Sequence, residues 1–320
     1  MNSLFSIAGR RVWVAGHTGM LGRSLVERLK MEQCNLITVS RKVLDLTRQK
    51  DVEEWIDFNQ PEVIFNAAAR VGGIKSNSSF PAEFIYENLM INSNIIHAAK
   101  NQNVKKVVLY GSSCSYPKNS TQPIGEKSLM QGIPEPTNIW YALAKISSIY
   151  MAQAYRNQYN CDFISLVPTN AYGPWDNFNL DSSHVIPAMI RKINHAVSNN
   201  QKKIEFWGTG NPLREFIYVE DLADASIFLA SNYSDSAPIN IGTGFEISIR
   251  NLSLIISRLL NYNGEIIFNE SMPDGAMRKI LDSSKLINLG WSPKVNITKG
   301  LENTINWYIS NIINQKKQID

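Results

Sequence analysis

Through the first half of the chain, short apolar runs alternate with amphipathic stretches. Val12 to Ala15, Leu36 to Val39, Val63 to Ala67, Val107 to Tyr110 and Phe163 to Val167 have the length and content of strands buried on both faces. Between the first two, Leu21, Leu25 and Leu29 recur at helical spacing and Met31 follows. Strands alternating with helices predict a parallel sheet covered on both sides, a doubly wound α/β domain. After Gly173 the pattern loosens, with Pro174, Pro187, Pro212, Pro238 and Pro273 punctuating shorter elements. That change predicts a second, smaller α/β unit.

The turn after the first strand carries chemistry. Gly16-His17-Thr18-Gly19-Met20-Leu21-Gly22 joins the first apolar run to the first helix, where free N–H groups at the positive helix end can hold a phosphate. The G-x-x-G-x-x-G spacing is one residue off the common dinucleotide fingerprint, and alone it also suits a plain glycine turn. A second set follows in Gly111-Ser112-Ser113-Cys114 and Tyr141-Ala142-Leu143-Ala144-Lys145. Tyr141 and Lys145 share one face of a helix. A free phenol titrates near ~10, so it becomes a useful acid at neutral pH when a cation such as Lys145 stabilises its phenolate. Ser112 can hold a carbonyl oxygen against the Tyr141 hydroxyl while a hydride reaches the carbonyl carbon.

In this order, these motifs resemble the extended short-chain dehydrogenase/reductase family. The likeness narrows at Ala68-Ala69-Arg70-Val71-Gly72-Gly73, Gly111-Ser112-Ser113-Cys114-Ser115-Tyr116-Pro117, Glu135-Pro136-Thr137-Asn138, Pro168-Thr169-Asn170-Ala171-Tyr172-Gly173-Pro174 and Ser183-His184-Val185-Ile186-Pro187. Those segments are similar to the GDP-L-fucose synthase branch, and the match runs from about Arg11 to about Trp307. The resemblance implies NADPH-dependent 3,5-epimerisation and 4-reduction of GDP-4-keto-6-deoxy-D-mannose. It implies a Rossmann domain over 1–172 with a return segment about 212–240, and a smaller substrate domain over 173–211 and 241–320. Ser112, Tyr141 and Lys145 would serve the 4-oxygen, and Cys114 and His184 would move carbon-bound protons. A thiol near ~8.5 and an imidazole near ~6.5 suit acid–base work at neutral pH.

The resemblance places NADP against the loop residues Gly16, His17, Thr18, Gly19, Met20, Leu21 and Gly22, and against Arg41, Asp45, Leu46 and Ala68. Further along, it adds Tyr110, Gly111, Ser112, Ser113, Tyr141, Lys145, Pro168, Thr169, Asn170, Ala171 and His184. Arg191, Trp207, Arg214, Asp274 and Lys279 would hold the GDP-sugar. The side chains of His17, His97 and His195 are read as structural. The second strand ends Thr38-Val39-Ser40-Arg41-Lys42, with no acid to greet a ribose 2′-hydroxyl, so Arg41 and Lys42 favour the 2′-phosphate of NADP. Thr18 stands where many bacterial relatives carry an arginine, which weakens that preference.

Composition adds boundaries. In this 320-residue chain with 44% hydrophobic residues there is enough apolar material for one large core or two coupled ones. The net charge of +4 comes from scattered cations, among them the Lys202-Lys203 and Lys316-Lys317 pairs, so no nucleic-acid partner is expected. No apolar stretch approaches the ~18 residues of a membrane helix, and no secretion signal precedes the first strand. Cys34, Cys114 and Cys161 show neither disulfide nor metal spacing, which suits a reducing cytoplasm and no metal site. The polar tail from Asn314 to Asp320 is expected to fray. Relatives pair through two helices per subunit, so a homodimer is expected, built on Ala82 to Asn101 and the Tyr141 helix. Two other functions fit the same motifs: the same chemistry on a GDP-colitose or GDP-heptose precursor, and a non-catalytic NADP-binding regulator.

Overall fold

The computed structural model describes residues 4–272 and 274–314. Expectations for Pro273, for Lys316-Lys317 and for the tail beyond Asn314 fall outside the described residues. The first half runs β1 (Arg11–Ala15), α1 (Met20–Leu29), β2 (Asn35–Ile37), α2 (Gln49–Asn59), β3 (Val63–Asn66), α3 (Ile74–Ser79), α4 (Pro81–Asn101) and β4 (Lys106–Tyr110). Next come α5 (Ile139–Tyr159), β5 (Phe163–Pro168), β6 (Asn170–Tyr172), α6 (Val185–Ser198), β7 (Lys203–Trp207), β8 (Leu213–Tyr218) and α7 (Val219–Asn232). The last elements are β9 (Ile239–Ile241), β10 (Glu246–Ser248), α8 (Ile249–Leu259), β11 (Glu265–Asn269), β12 (Arg278–Lys279), α9 (Ser284–Asn288) and α10 (Ile297–Tyr308).

The main sheet has six parallel strands in the order β2-β1-β3-β4-β5-β9. Its pleat sends alternate side chains to opposite faces. Val12 and Val14 of β1 join Leu25 and Leu29 of α1 and Leu222 of α7 in one apolar cluster. Trp13 and Ala15 join Val52 and Ile56 of α2 and Ile95 of α4 in another. The expected doubly wound fold is therefore present. Each such fully buried aliphatic or aromatic side chain contributes about 1.5–3 kcal/mol, which makes the sheet a stiff floor for the loops at its carboxyl edge. The chain leaves β1 toward β2 on one side and passes to β3 on the other. Nucleotides bind such sheets at this reversal.

Two expected strands are shorter than their apolar runs. β2 stops at Ile37 because its pairing with β1 covers only Arg11↔Asn35 to Trp13↔Ile37, and Val39 instead lines a cavity. β3 stops at Asn66, where the Ala67 amide turns back to the Phe65 carbonyl at 3.2 Å.

A third apolar cluster gathers Ile186, Ile190 and Ile193 of α6, Leu252 and Ile256 of α8, Leu301 and Ile305 of α10, and Phe206, Phe216 and Tyr218 from β7 and β8. Here β8 pairs with β6, β10 and β12, and β7 pairs with β11. Because β6 follows β5 after a single residue, and α7 follows β8 directly, the two sheets are tied at the edge of one cleft.

Candidate active site

Steric crowding explains two of the three loop glycines. Gly16 has φ +78°, and a Cβ there would lie 2.6 Å from the Ala68 amide nitrogen. A Cβ on Gly22 would lie 2.1 Å from the Gly16 carbonyl oxygen. These close approaches seat α1 against the end of β3, so the turn forms a cradle that larger residues would fill. Gly19 is the N-cap of α1 in ordinary extended geometry, with no side chain capping the helix and no acid in the first turn. The first N–H groups of α1 are thus free for a phosphate.

Beside that cradle is a cavity of about 240 Å³ lined by Gly16, His17, Thr18, Gly19, Arg41, Asp45, Leu46 and Ala68. Its size and mixed lining fit the adenosine end of a dinucleotide. Lys42 is exposed and outside this wall. Asp45 accepts from the Thr47 amide at 3.0 Å and the Thr47 hydroxyl at 2.8 Å, bonds that hold its carboxyl below the usual range.

A larger cleft of about 490 Å³ continues from Gly19, Met20 and Leu21 to Ser112, Cys114, Tyr141, Lys145 and His184. Tyr110, Gly111, Ser113, Pro168, Thr169, Asn170 and Ala171 also line it. All the sequence-selected cofactor residues except Gly22, which packs under the loop, thus face one of two adjoining cavities.

Ser112 ends the β4 connection, and its hydroxyl accepts from the Cys114 amide at 3.1 Å, which turns the chain and aims Cys114 into the cleft. The Asn138 side-chain amide donates to Cys114 Sγ at 3.2 Å. Helix α5 brings Lys145 Nζ to 5.7 Å from the Tyr141 ring centroid, as the four-residue spacing requires. Lys145 is buried and donates to the Tyr110 carbonyl at 2.8 Å. Desolvation pulls the ammonium down to about 8. Desolvation also raises the Tyr141 phenol, an effect opposed by the Ser112 hydroxyl beside it. At the start of α6, His184 faces the same cleft, and the surrounding protein lowers its pKa, favouring the neutral ring at pH 7.

The nucleotide-side residues are less united. On the second sheet, Lys279 of β12 is paired in register with Arg214 of β8. Asp274 accepts from the Thr209 amide at 3.0 Å and hydroxyl at 2.7 Å, two residues beyond the exposed Trp207. Arg214 lies in the fields of Cys114, Asp274 and Glu135, and burial lowers its pKa. Arg191 is elsewhere: its Nη1 donates to the Phe178 carbonyl at 2.9 Å, and it lines a separate cavity with His195 and Tyr308. The next residue, Lys192, donates to the carbonyl of Glu205 in β7.

Residues 12–242 match the model of the NAD dependent epimerase/dehydratase family. The chain belongs to that family. Among its relatives, a GDP-L-fucose synthase from Sinorhizobium fredii is 46% identical over 97% of this chain and 98% of its own length. A GDP-L-colitose synthase from Yersinia pseudotuberculosis is 35% identical over 94% of this chain and 98% of its own. Among solved structures, a GDP-mannoheptose C4 reductase from Campylobacter jejuni with NADP bound has TM-score 0.85 and 36% identity, covering 94% of this chain and 98% of that one. The family resemblance read from the motifs is therefore borne out, and family membership accounts for the cradle, the cleft and the Tyr141–Lys145 pair in one fold.

Three cleft residues escaped selection from sequence. Asn138 was visible only as part of a motif, with no local sign that it reaches Cys114. Glu87 lines the adenosine cavity from α4. Asp176 lines the large cleft with Oδ2 unpartnered, and desolvation pushes its carboxyl up to about 7. Asp176, in the family-like segment Asp176-Asn177-Phe178, carried no local sign of a role in the cleft.

Proposed function

We propose that the protein is an NADPH-dependent 3,5-epimerase and 4-reductase that converts GDP-4-keto-6-deoxy-D-mannose into GDP-L-fucose. The observation that carries this reading is one cleft in which Cys114 and His184 accompany Ser112, Tyr141 and Lys145. A plain reductase needs only the last three. The near-full-length relation to GDP-L-fucose synthase, closer at 46% than the 35% to the colitose enzyme, supports the fucose product over its analogues.

NADPH, held by the Gly16–Gly22 cradle and the Arg41 cavity, supplies two electrons and one hydrogen to C4 when bound. The chain's own groups do the rest. Cys114, as thiolate, removes the proton from C3 or C5, whose acidity comes from the adjacent 4-ketone. His184, in the imidazolium form whose acidity the lowered pKa strengthens, returns a proton from the other face, inverting the centre. Ser112 and Tyr141 hold the 4-oxygen, which takes charge as each carbon acid ionises. In the reduction, Tyr141 gives its hydroxyl proton to O4, and Lys145 stabilises the phenolate left behind. Arg214, Lys279, Trp207 and Asp274 would flank the GDP portion, with Arg214 supplying a forked donor to the diphosphate. Arg191 joins this group only if its bond to Phe178 breaks.

The proposal divides labour between 1–172 with the return 212–240, for the cofactor, and 173–211 with 241–320, for the sugar nucleotide. It includes a homodimer, supported by Tyr86 of α4 and Tyr150 of α5, which are exposed although apolar. It places the enzyme in the cytoplasm, supported by three free cysteines; no described helix is long and apolar enough to cross a membrane. Incubating the pure protein with NADPH and GDP-4-keto-6-deoxy-D-mannose should give GDP-L-fucose by NMR. NADPH oxidation seen only with a 3-deoxy or heptose analogue would replace the substrate.

A further inference from the structure

Across the adenosine cavity from the glycine loop, one carboxylate is shared by two guanidinium groups. Glu87, in the second turn of α4, accepts from Arg70 Nη1 at 2.5 Å through Oε1 and from Arg41 Nη2 at 3.4 Å through Oε2. All three residues line the cavity. The Glu87 side chain is only 16% exposed, whereas that of Arg41 is 77% exposed. Arg70 is fixed from several directions. Its guanidinium stands 5.5 Å from the Phe80 ring and 5.4 Å from the Phe84 ring, and its backbone is bonded in both directions to the Asn88 amide.

This cluster changes the meaning of the strand end. The second strand lacks an acid, but α4 supplies one to the same cavity, 46 residues along the chain from Arg41. A phosphate monoester carries about −1.5 to −2 charge at neutral pH. Two arginines alone would balance it. With Glu87 between them and Asp45 on the same cavity wall, the two carboxylates offset the two arginines, and an arriving phosphate must take donors from a carboxylate that already holds them. A ribose with a free 2′-hydroxyl meets no such contest, because that hydroxyl can donate to the carboxylate.

We propose that Glu87 is the specificity-determining residue of this site, limiting its preference for NADPH over NADH by competing with the 2′-phosphate for Arg41 and Arg70. The inference rests on the cofactor reading above. In the free protein, Glu87 keeps both arginines aimed into the cavity. Arg41, exposed and held at the longer distance, is the partner that passes most easily to the phosphate. Arg70, backed by two rings, stays beside the carboxylate, so repulsion persists in the loaded site.

The test is calorimetric titration of the full chain with 2′,5′-ADP and with 5′-ADP, which reads binding without turnover. In Glu87→Gln, which keeps the shape and removes the charge, affinity for 2′,5′-ADP should rise roughly tenfold while that for 5′-ADP stays level or falls. Glu87→Met should widen the ratio in the same direction, so the outcome does not hang on one variant. An unchanged ratio, or weaker binding of 2′,5′-ADP in the variants, would overturn the proposal and leave Glu87 as a prop for the arginines. If the unmodified protein binds neither nucleotide, the cofactor reading fails first and takes this inference with it.

Discussion

The Asn138 side-chain amide donates to Cys114 Sγ at 3.2 Å, bridging the segment before α5 and the turn after β4. The bond fixes the sulfur where the cleft opens and gives it a polar partner for the charge it would carry as the proposed base. Asn138→Ala should slow carbon-proton exchange by roughly tenfold, the worth of one hydrogen bond to a charged group. NADPH affinity should stay level, because Asn138 bonds the sulfur and not the cradle. Proton NMR of the keto sugar in D₂O reads the first effect and fluorescence titration the second; a normal exchange rate would remove Asn138 from the account.

In the proposed reduction, turnover rests on Tyr141 and on the charge of Lys145. Tyr141→Phe should bind NADPH nearly normally and turn over roughly 10²- to 10⁴-fold more slowly, the range for one general acid. Full activity in that variant would require a different proton donor.

Burial lowers the Lys145 ammonium to about 8, so its charge is present below that pH and lost as the pH rises through it. The kcat/KM for reduction, which reports groups of the free enzyme, should therefore fall above about pH 8. A profile flat to pH 10 would show that the Lys145 charge does not support the phenolate. Stability runs the other way: the depressed ammonium pKa costs stability below about 8, and this cost fades as the pH rises toward the ordinary lysine value.

The cofactor reading predicts higher kcat/KM with NADPH than with NADH, and Arg41→Ala should narrow that gap by about tenfold. The loss should fall on NADPH. Equal efficiency with both cofactors in the unmodified protein would show that Arg41 meets no phosphate.

Asp176 offers a stability test. Its folded pKa, raised by desolvation to about 7, lies above the ordinary 3.8, so the native state binds the proton more tightly and stability falls as pH rises between those values. Asp176→Asn should remove the cost of the buried charge and raise the melting temperature at pH 8 by about 2–4 °C, with little change at pH 4. A variant less stable at pH 8 would mean that the carboxylate has a partner in solution.

What the sequence made legible was local. Gly16 and Gly22 had to be glycine because the turn folds onto itself, and Tyr141 and Lys145 had to share a helix face because they are one turn apart. The apolar runs located the sheet because strands buried on both faces leave no room for polar positions. Contacts made by folding were not legible. Glu87 meets Arg41 only when folding brings α4 to the loop that follows β2, and Asn138 meets Cys114 across 24 residues of chain. The resemblance put Arg191 with the nucleotide, yet two turns along α6 from His184 its Nη1 donates to the Phe178 carbonyl. β2 ended early because pairing partners, not hydrophobicity, set strand length.

In the proposed enzyme different residues epimerise and reduce one bound sugar, and deuterium incorporation separates the two steps. In D₂O with GDP-4-keto-6-deoxy-D-mannose, Tyr141→Phe should still exchange deuterium into C3 and C5, whereas Cys114→Ala should not. Cys114→Ala should then reduce the ketone slowly to a product that keeps its original C3 and C5 configurations. If Cys114→Ala exchanges both positions and makes GDP-L-fucose at the normal rate, the division of labour is wrong and Cys114 is a packing residue.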